Sequence, residues 1–156
     1  NAPEGSVLAN CATDNYAAGE LAAEKVYEAV KDRIDGNVRI GVVAQDATSE
    51  SVVNRGLGFI DKFAELAVAD GHTATVVGND RYISDSKCEK TEGANVVIDV
   101  RVPAQVTSEL SAADATALMN EADTIAIYGS NEHSANAIIT ANENLSRRRP
   151  DRCSRI

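Results

Sequence analysis

Short runs of β-branched and small apolar residues alternate along this chain with longer runs whose apolar residues recur at helical spacing. That alternation leaves few folds open. Ser6–Ala12, Val38–Ala44, Thr73–Val77 and Thr124–Tyr128 have strand length and composition. Tyr16–Arg33 places Ala18, Ala22, Val26, Ala29 and Val30 on one helical stripe, and Ser51–Asp70 does the same with Val53, Leu57, Ile60, Ala64 and Ala67. Thr107–Glu121, through Leu110, Ala113, Ala117 and Leu118, and His133–Leu145 extend the series, and Gly71 ends the second helix as a C-cap. Strands separated by helices of this length build a parallel sheet with right-handed crossovers. The expected class is α/β, a doubly wound parallel sheet flanked by helices.

The 156 residues suit one domain. One region breaks the rhythm. Arg81–Pro103 is too long for a simple connection, and Val96, Val97, Ile98, Val100 and Val102 give it an extra strand. Pro103 places that strand at a sheet edge. The polar half, Ser84–Gly93, fits a loop or a short helix. Residues 1–146 thus form one lobe with an insertion at 81–103.

Residues 147–156 differ in kind. They hold five Arg and one Asp, whereas residues 1–146 carry 10 basic and 23 acidic side chains, a net of −13. The tail reads as a disordered or non-native, out-of-frame or truncated end. An acidic body argues against nucleic acid, whose affinity rests on neutralised phosphates. No segment reaches the roughly 20 apolar residues that cross a membrane, and no signal peptide is visible. Cys11, Cys88 and Cys153 lack metal-ligand spacing; Cys11 reads as a small buried hydrophobe and the others as incidental thiols.

Polar clusters follow each strand-like run. Asp14-Asn15, Gln45-Asp46, Asn79-Asp80-Arg81-Tyr82 and Ser130-Asn131-Glu132 would all lie at the carboxyl edge of the sheet. That edge is where open α/β sheets bind ligands, beside helix N-termini with free amides. Several of these residues are also ordinary helix caps: Asp14, Thr48 or Ser49, and Ser130 or Asn131. Asp46 and Asp80 equally suit solvated turns. Arg55 is different, because a cation in the first turns of a helix opposes the dipole. A partner carboxylate or a ligand hydroxyl would account for it. Gly19, Gly56 and Gly58 each cost a helix about 1 kcal/mol against Ala unless close packing requires them.

These residues resemble a known family. Thr13-Asp14-Asn15, with Gly19 and Ala22-Ala23 after it, resembles the DN…G…AA segment of type 1 periplasmic sugar-binding proteins. Arg55-x-x-Gly58-Phe59 resembles their R-x-x-G-F motif. Ile127–Glu132, followed by Ala135-Asn136-Ala137 and Ala141, resembles the strand and helix around their N-D/E motif. The three match in order over residues 7–146. Effector-binding domains of lactose-repressor-like regulators share the pattern.

The resemblance implies one lobe of a two-lobe protein that closes over a ligand, the second lobe, entered from a hinge near Asp14. Arg55 then resembles the arginine that bonds sugar hydroxyls, and Asn131 the ligand-contacting asparagine. Tyr82 or Asp80 stands where a cleft residue is often found. Asp46 is a further ligand-binding candidate from its cluster. Glu132 replaces the commoner Asp. Where the family continues into a strand and a G-F-D motif, this chain has its arginine-rich end. The implied function is non-catalytic capture of a sugar or other polyhydroxy solute for an ABC-type importer. Its partners are that ligand and, through the full-length protein, a membrane permease, at an extracytoplasmic location. The alternative is the effector domain of a cytoplasmic regulator. No cofactor or metal is expected, and the isolated lobe has a sheet edge through which a homodimer could form.

An enzyme is the third reading. It finds neither G-x-G-x-x-G nor a P-loop after the first strand. His133 beside Glu132 suggests an acid–base pair, but adjacent helical residues face apart. His133 therefore reads as an unpaired surface histidine.

Overall fold

The fold was established from a computed structural model, which describes residues 12–148. Cys11, Cys153, most of the Ser6–Ala12 run and the tail beyond Arg148 lie outside the described residues. Four strands, β1 (Val38–Val43), β2 (Ala74–Gly78), β3 (Val96–Arg101) and β4 (Thr124–Gly129), form one parallel sheet in the order β2-β3-β1-β4. Five α-helices connect and flank them: α1 (Asn15–Val30), α2 (Glu50–Ala69), α3 (Asp80–Asp85), α4 (Ser108–Asn120) and α5 (Glu132–Arg148). The α/β class and the flanked parallel sheet are as the alternation requires.

Period-two alternation splits the core between the two sheet faces. Ile40, Val42, Val76, Ile98 and Val100 pack with Tyr27 of α1 and with Phe59, Ile60 and Phe63 of α2. Burying each of these large side chains is worth about 1.5–3 kcal/mol. On the opposite face Val43 packs with Ala115 and Leu118 of α4 and Ala141 of α5. The first cluster is much the larger, and its aromatic rings interlock. Phe59 stacks on Tyr128 at 4.1 Å between centroids, and Tyr27 meets Phe63 edge-on at 5.2 Å.

Two glycines let α1 and α2 touch backbone to backbone. A Cβ on Gly19 would lie 2.1 Å from the carbonyl oxygen of Arg55, and one on Gly58 would lie 2.1 Å from that of Tyr16. Close packing is therefore why these helices tolerate glycine. Gly71 ends α2 as expected, at φ 90°. The Gly71 amide donates to Val68 O (3.0 Å) and the His72 amide to Ala67 O (2.9 Å), the paired bonds of a Schellman end.

The inserted strand corrects an expectation. β3 is interior, paired with β1 on one side and β2 on the other, and not an edge strand. Pro103 sits two residues past its end, so its missing N–H interrupts no ladder bond. The polar half of the insertion divides into the short α3 and a loop. α5 continues through Arg147 and Arg148, and the rest of the tail lies outside the described residues. Helical periodicity ends near Leu145, but Ser146, Arg147 and Arg148 include no glycine or proline to stop a helix.

β3 also carries a buried carboxylate. Asp99 is 1 % exposed and pairs in register with Gly41, on the face that α4 and α5 cover over β1 and β4. Over β3 an ion cluster fills this place. Arg39 donates to Asp99 at 2.7 Å and to Asp123 at 3.1 Å, and Arg101 holds Asp99 through two bonds of 2.8 Å. The neighbouring carboxylates raise the pKa of both arginines against the opposing effect of burial.

Candidate functional site

At the carboxyl edge of the sheet, Arg55 joins three elements. Its guanidinium donates to Asn15 Oδ1 at 2.5 Å and to the Ser130 carbonyl at 3.1 Å. It thus links the start of α1, the second turn of α2 and the end of β4. Among the described residues no carboxylate lies within 4 Å of it. The cation that opposes its own helix dipole is anchored by neutral oxygens alone.

Asn131 meets the same junction from the other side. Its Oδ1 accepts the Ser134 amide at 3.0 Å, capping α5, and its Nδ2 donates to Gln45 Oε1 at 2.7 Å. Asn131 is thus a helix cap that lies at the carboxyl edge. Asp14 is simpler: its carboxylate accepts the Ala17 amide at 3.0 Å and caps α1.

Asp46 is committed to its own loop. One oxygen accepts the Thr48 amide (2.8 Å), the Ser49 amide (2.5 Å) and the Thr48 hydroxyl (3.2 Å). The Ser49 amide leads in holding this carboxyl below its ordinary pKa. Asp46, not Thr48 or Ser49, supplies the side-chain oxygen at the start of α2.

Tyr82 is placed differently from a cleft aromatic. It is 0 % exposed, its ring fills the space left by Gly56, and its hydroxyl donates to the Asp46 carbonyl at 3.2 Å. Burial raises its phenol pKa strongly. It supports the edge from beneath and presents no ring to solvent. Asp80 and Glu132 open α3 and α5, stand exposed, and make no side-chain hydrogen bond among the described residues. Arg55, Asn131, Asp46 and Tyr82 are therefore gathered at one edge, while Asp80 and Glu132 stand in solvent at its rim.

Three participants were not among the ligand candidates read from the sequence: Asn15, Gln45 and Ser130. Each belongs to a polar cluster visible in the sequence. Their pairings join residues 40, 86 and 75 positions apart, which no local pattern reveals.

His133 is a correction. It is half-buried, and its Nε2 lies 3.0 Å from the hydroxyl of Ser111, so it is not an unpaired surface group. Ser111 is 0 % exposed. The pair ties α4 to α5 and offers no accessible nucleophile. Burial pushes up the thiol pKa of Cys88, aided by Asp61 and Glu89. Cys88 lines a cavity of about 630 Å³ on the flank of α2, together with Tyr16, Asp61, Lys87 and His72–Ala74. Among the described residues no group of three His, Cys, Asp or Glu side chains is placed to hold a metal, and no helix is long and apolar enough to cross a membrane.

No family model and no curated protein matches the chain. Solved structures do. A protein described as an ABC transporter, LacI family transcriptional regulator from Brachyspira murdochii is similar at 28 % identity and TM-score 0.64, over 88 % of this chain. GanP, a glucose-galactose binding protein from Geobacillus stearothermophilus, is similar at 21 % identity and TM-score 0.59 over 94 %. AraP, an arabinose binding protein from the same organism, is similar at 16 % identity and TM-score 0.58 over 86 %. This chain spans only 38, 42 and 36 % of those three chains respectively. The chain has the fold of type 1 periplasmic sugar-binding proteins, over a length that corresponds to one of their lobes.

Proposed function

We propose that this chain supplies one wall, the second lobe, of a cleft that captures a polyhydroxy solute without transforming it. The observation that carries the reading is Arg55, a cation with no carboxylate partner among the described residues, fixed at the carboxyl edge by Asn15 and Ser130. A guanidinium has five N–H donors in a rigid fork, and two bonds to neutral oxygens leave donors for a ligand. Asn131 and Gln45 stand beside it. In the complete protein the opposing lobe would bring further polar groups, and closure about the hinge would present the loaded form to a permease of an ABC-type importer outside the cytoplasm. Fold similarity to sugar-binding proteins supports the solute class.

The effector domain of a regulator is the second reading, favoured by the description of the Brachyspira murdochii protein. It keeps the same site and changes the partner and compartment. A DNA-binding headpiece encoded upstream in the gene would decide for it, and a secretion signal against it.

Solution NMR tests the site. The isotope-labelled chain is titrated with a panel of monosaccharides and sugar acids. We expect weak, saturable shifts confined to Asn15, Arg55 and residues 130–134, abolished by Arg55→Ala. Shifts scattered over the surface would count against the site, and micromolar or tighter binding would count against the half-cleft reading.

A further inference from the structure

The junction of β4 and α5 is rich in donors. Ser130 is 1 % exposed and Ser134 0 %, yet neither hydroxyl has a hydrogen-bond partner among the described residues. Buried hydroxyls are normally paired, so two orphans around one helix start call for a missing group. The amides of Glu132 and His133 head the 17-residue α5, and none of the hydrogen bonds of the described residues uses them. The Arg55 guanidinium reaches the same place through the Ser130 carbonyl.

Each nearby neutral acceptor already takes one donor. Asn131 Oδ1 takes the Ser134 amide, and Gln45 Oε1 takes the Asn131 side-chain amide. Asn15 Oδ1 and the Ser130 carbonyl both take Arg55, and one oxygen of Asp46 takes its own loop. A neutral sugar hydroxyl donates as well as accepts, whereas an oxyanion only accepts. The guanidinium and the two unused amides, which only donate, match the second.

We propose that the β4–α5 junction, with Arg55, receives an oxyanion, the carboxylate or phosphate of a small ligand. The captured solute is then an acidic polyhydroxy compound and not a neutral sugar. This rests on the solute-capture reading and narrows it. The helix dipole and the guanidinium both favour negative charge there. Glu132, exposed on the same turn, is one opposing carboxylate and Asp46, next to Gln45, a second, so neutralising Glu132 should tighten binding.

The test is an NMR titration of the labelled 156-residue chain at fixed ionic strength with inorganic phosphate, acetate, glucuronate and glucose. We expect saturable shifts of the Glu132 and His133 amides, with glucuronate at least tenfold tighter than glucose. Arg55→Gln and Ser134→Ala should each weaken glucuronate severalfold with the rest of the spectrum unchanged, and Glu132→Gln should tighten it. Phosphate binding more tightly than acetate assigns a phosphate ligand, and the reverse a carboxylate. Glucose binding as well as glucuronate overturns the oxyanion proposal and leaves solute capture standing. Acetate and phosphate binding as well as glucuronate upholds the oxyanion site and counts against a polyhydroxy solute. Absence of shifts from all of the oxyanions overturns the proposal.

Discussion

Gly58 shows how much one atom can decide. Adding a methyl group there places carbon 2.1 Å from the Tyr16 carbonyl oxygen, and the obstructing atom belongs to a helix backbone that cannot rotate away. Gly58→Ala should cost about 3 kcal/mol, the upper part of the overpacking range, measured by urea unfolding with an unchanged m-value. Asp99 is the second such residue. Asp99→Ala strips Arg101 of its charge partner and Arg39 of one of two, in a place of 1 % exposure. The arginines left behind are 21 % and 38 % exposed and reach water, so the loss should be about 1–3 kcal/mol, and a loss below 1 kcal/mol would show the cluster to be effectively solvated. The two residues differ in legibility. Gly58 was visible as a helix-weakening residue that needs a reason. Asp99 looked like one polar interruption in an apolar alternation, and its partners, 60 residues away and two residues away, lie on two strands.

Among the elements, α3 carries more than its six residues suggest. Through Tyr82 it fills the space beside Gly56 and holds the Asp46 carbonyl. Tyr82→Phe should lose about 1 kcal/mol, the net value of one hydrogen bond. Tyr82→Ala should lose about 3–5 kcal/mol through the cavity it leaves. Hydrogen exchange should quicken at residues 46–49 in the first variant while α2 beyond Phe59 stays protected; uniform loss of protection would contradict a local role. The alternating elements themselves were readable, since each depends on periodicity within one segment. The place of β3 was not. Its neighbours are chosen by pairing with β1 and β2, and the one local signal, Pro103, lies beyond the strand. The same divide runs through the site: Arg55 stood out because it conflicts with its own helix, while Asn15, Gln45 and Ser130 acquire meaning only from distant partners.

Alkaline stability is a property of the whole molecule. The chain has four tyrosines, and Tyr16, Tyr27, Tyr82 and Tyr128 all have raised phenol pKa values, with burial the leading cause in each. Tyr27, which donates to Asp70 at 2.7 Å, is pushed up to about 12. A raised folded-state pKa means stabilisation that is complete below the unfolded value near 10 and lost as pH climbs through the folded value. Unfolding free energy should therefore fall between about pH 10 and 12. Ultraviolet tyrosinate titration should lag behind that of the denatured chain. Tyr27→Phe should flatten part of the slope, and coincident titration of folded and denatured chains would refute the assignment.

The contact between α1 and α2 also limits how this protein can change by mutation. A clash with a side chain is relieved by trimming that side chain, so most packing positions drift in compensated pairs. Gly19 and Gly58 each face a carbonyl oxygen of the opposite helix, and every residue carries one. No substitution at Arg55 or Tyr16 removes it. A genetic search for suppressors of Gly58→Ala should therefore return true revertants and globally stabilising changes elsewhere, and no compensating partner across the helix pair.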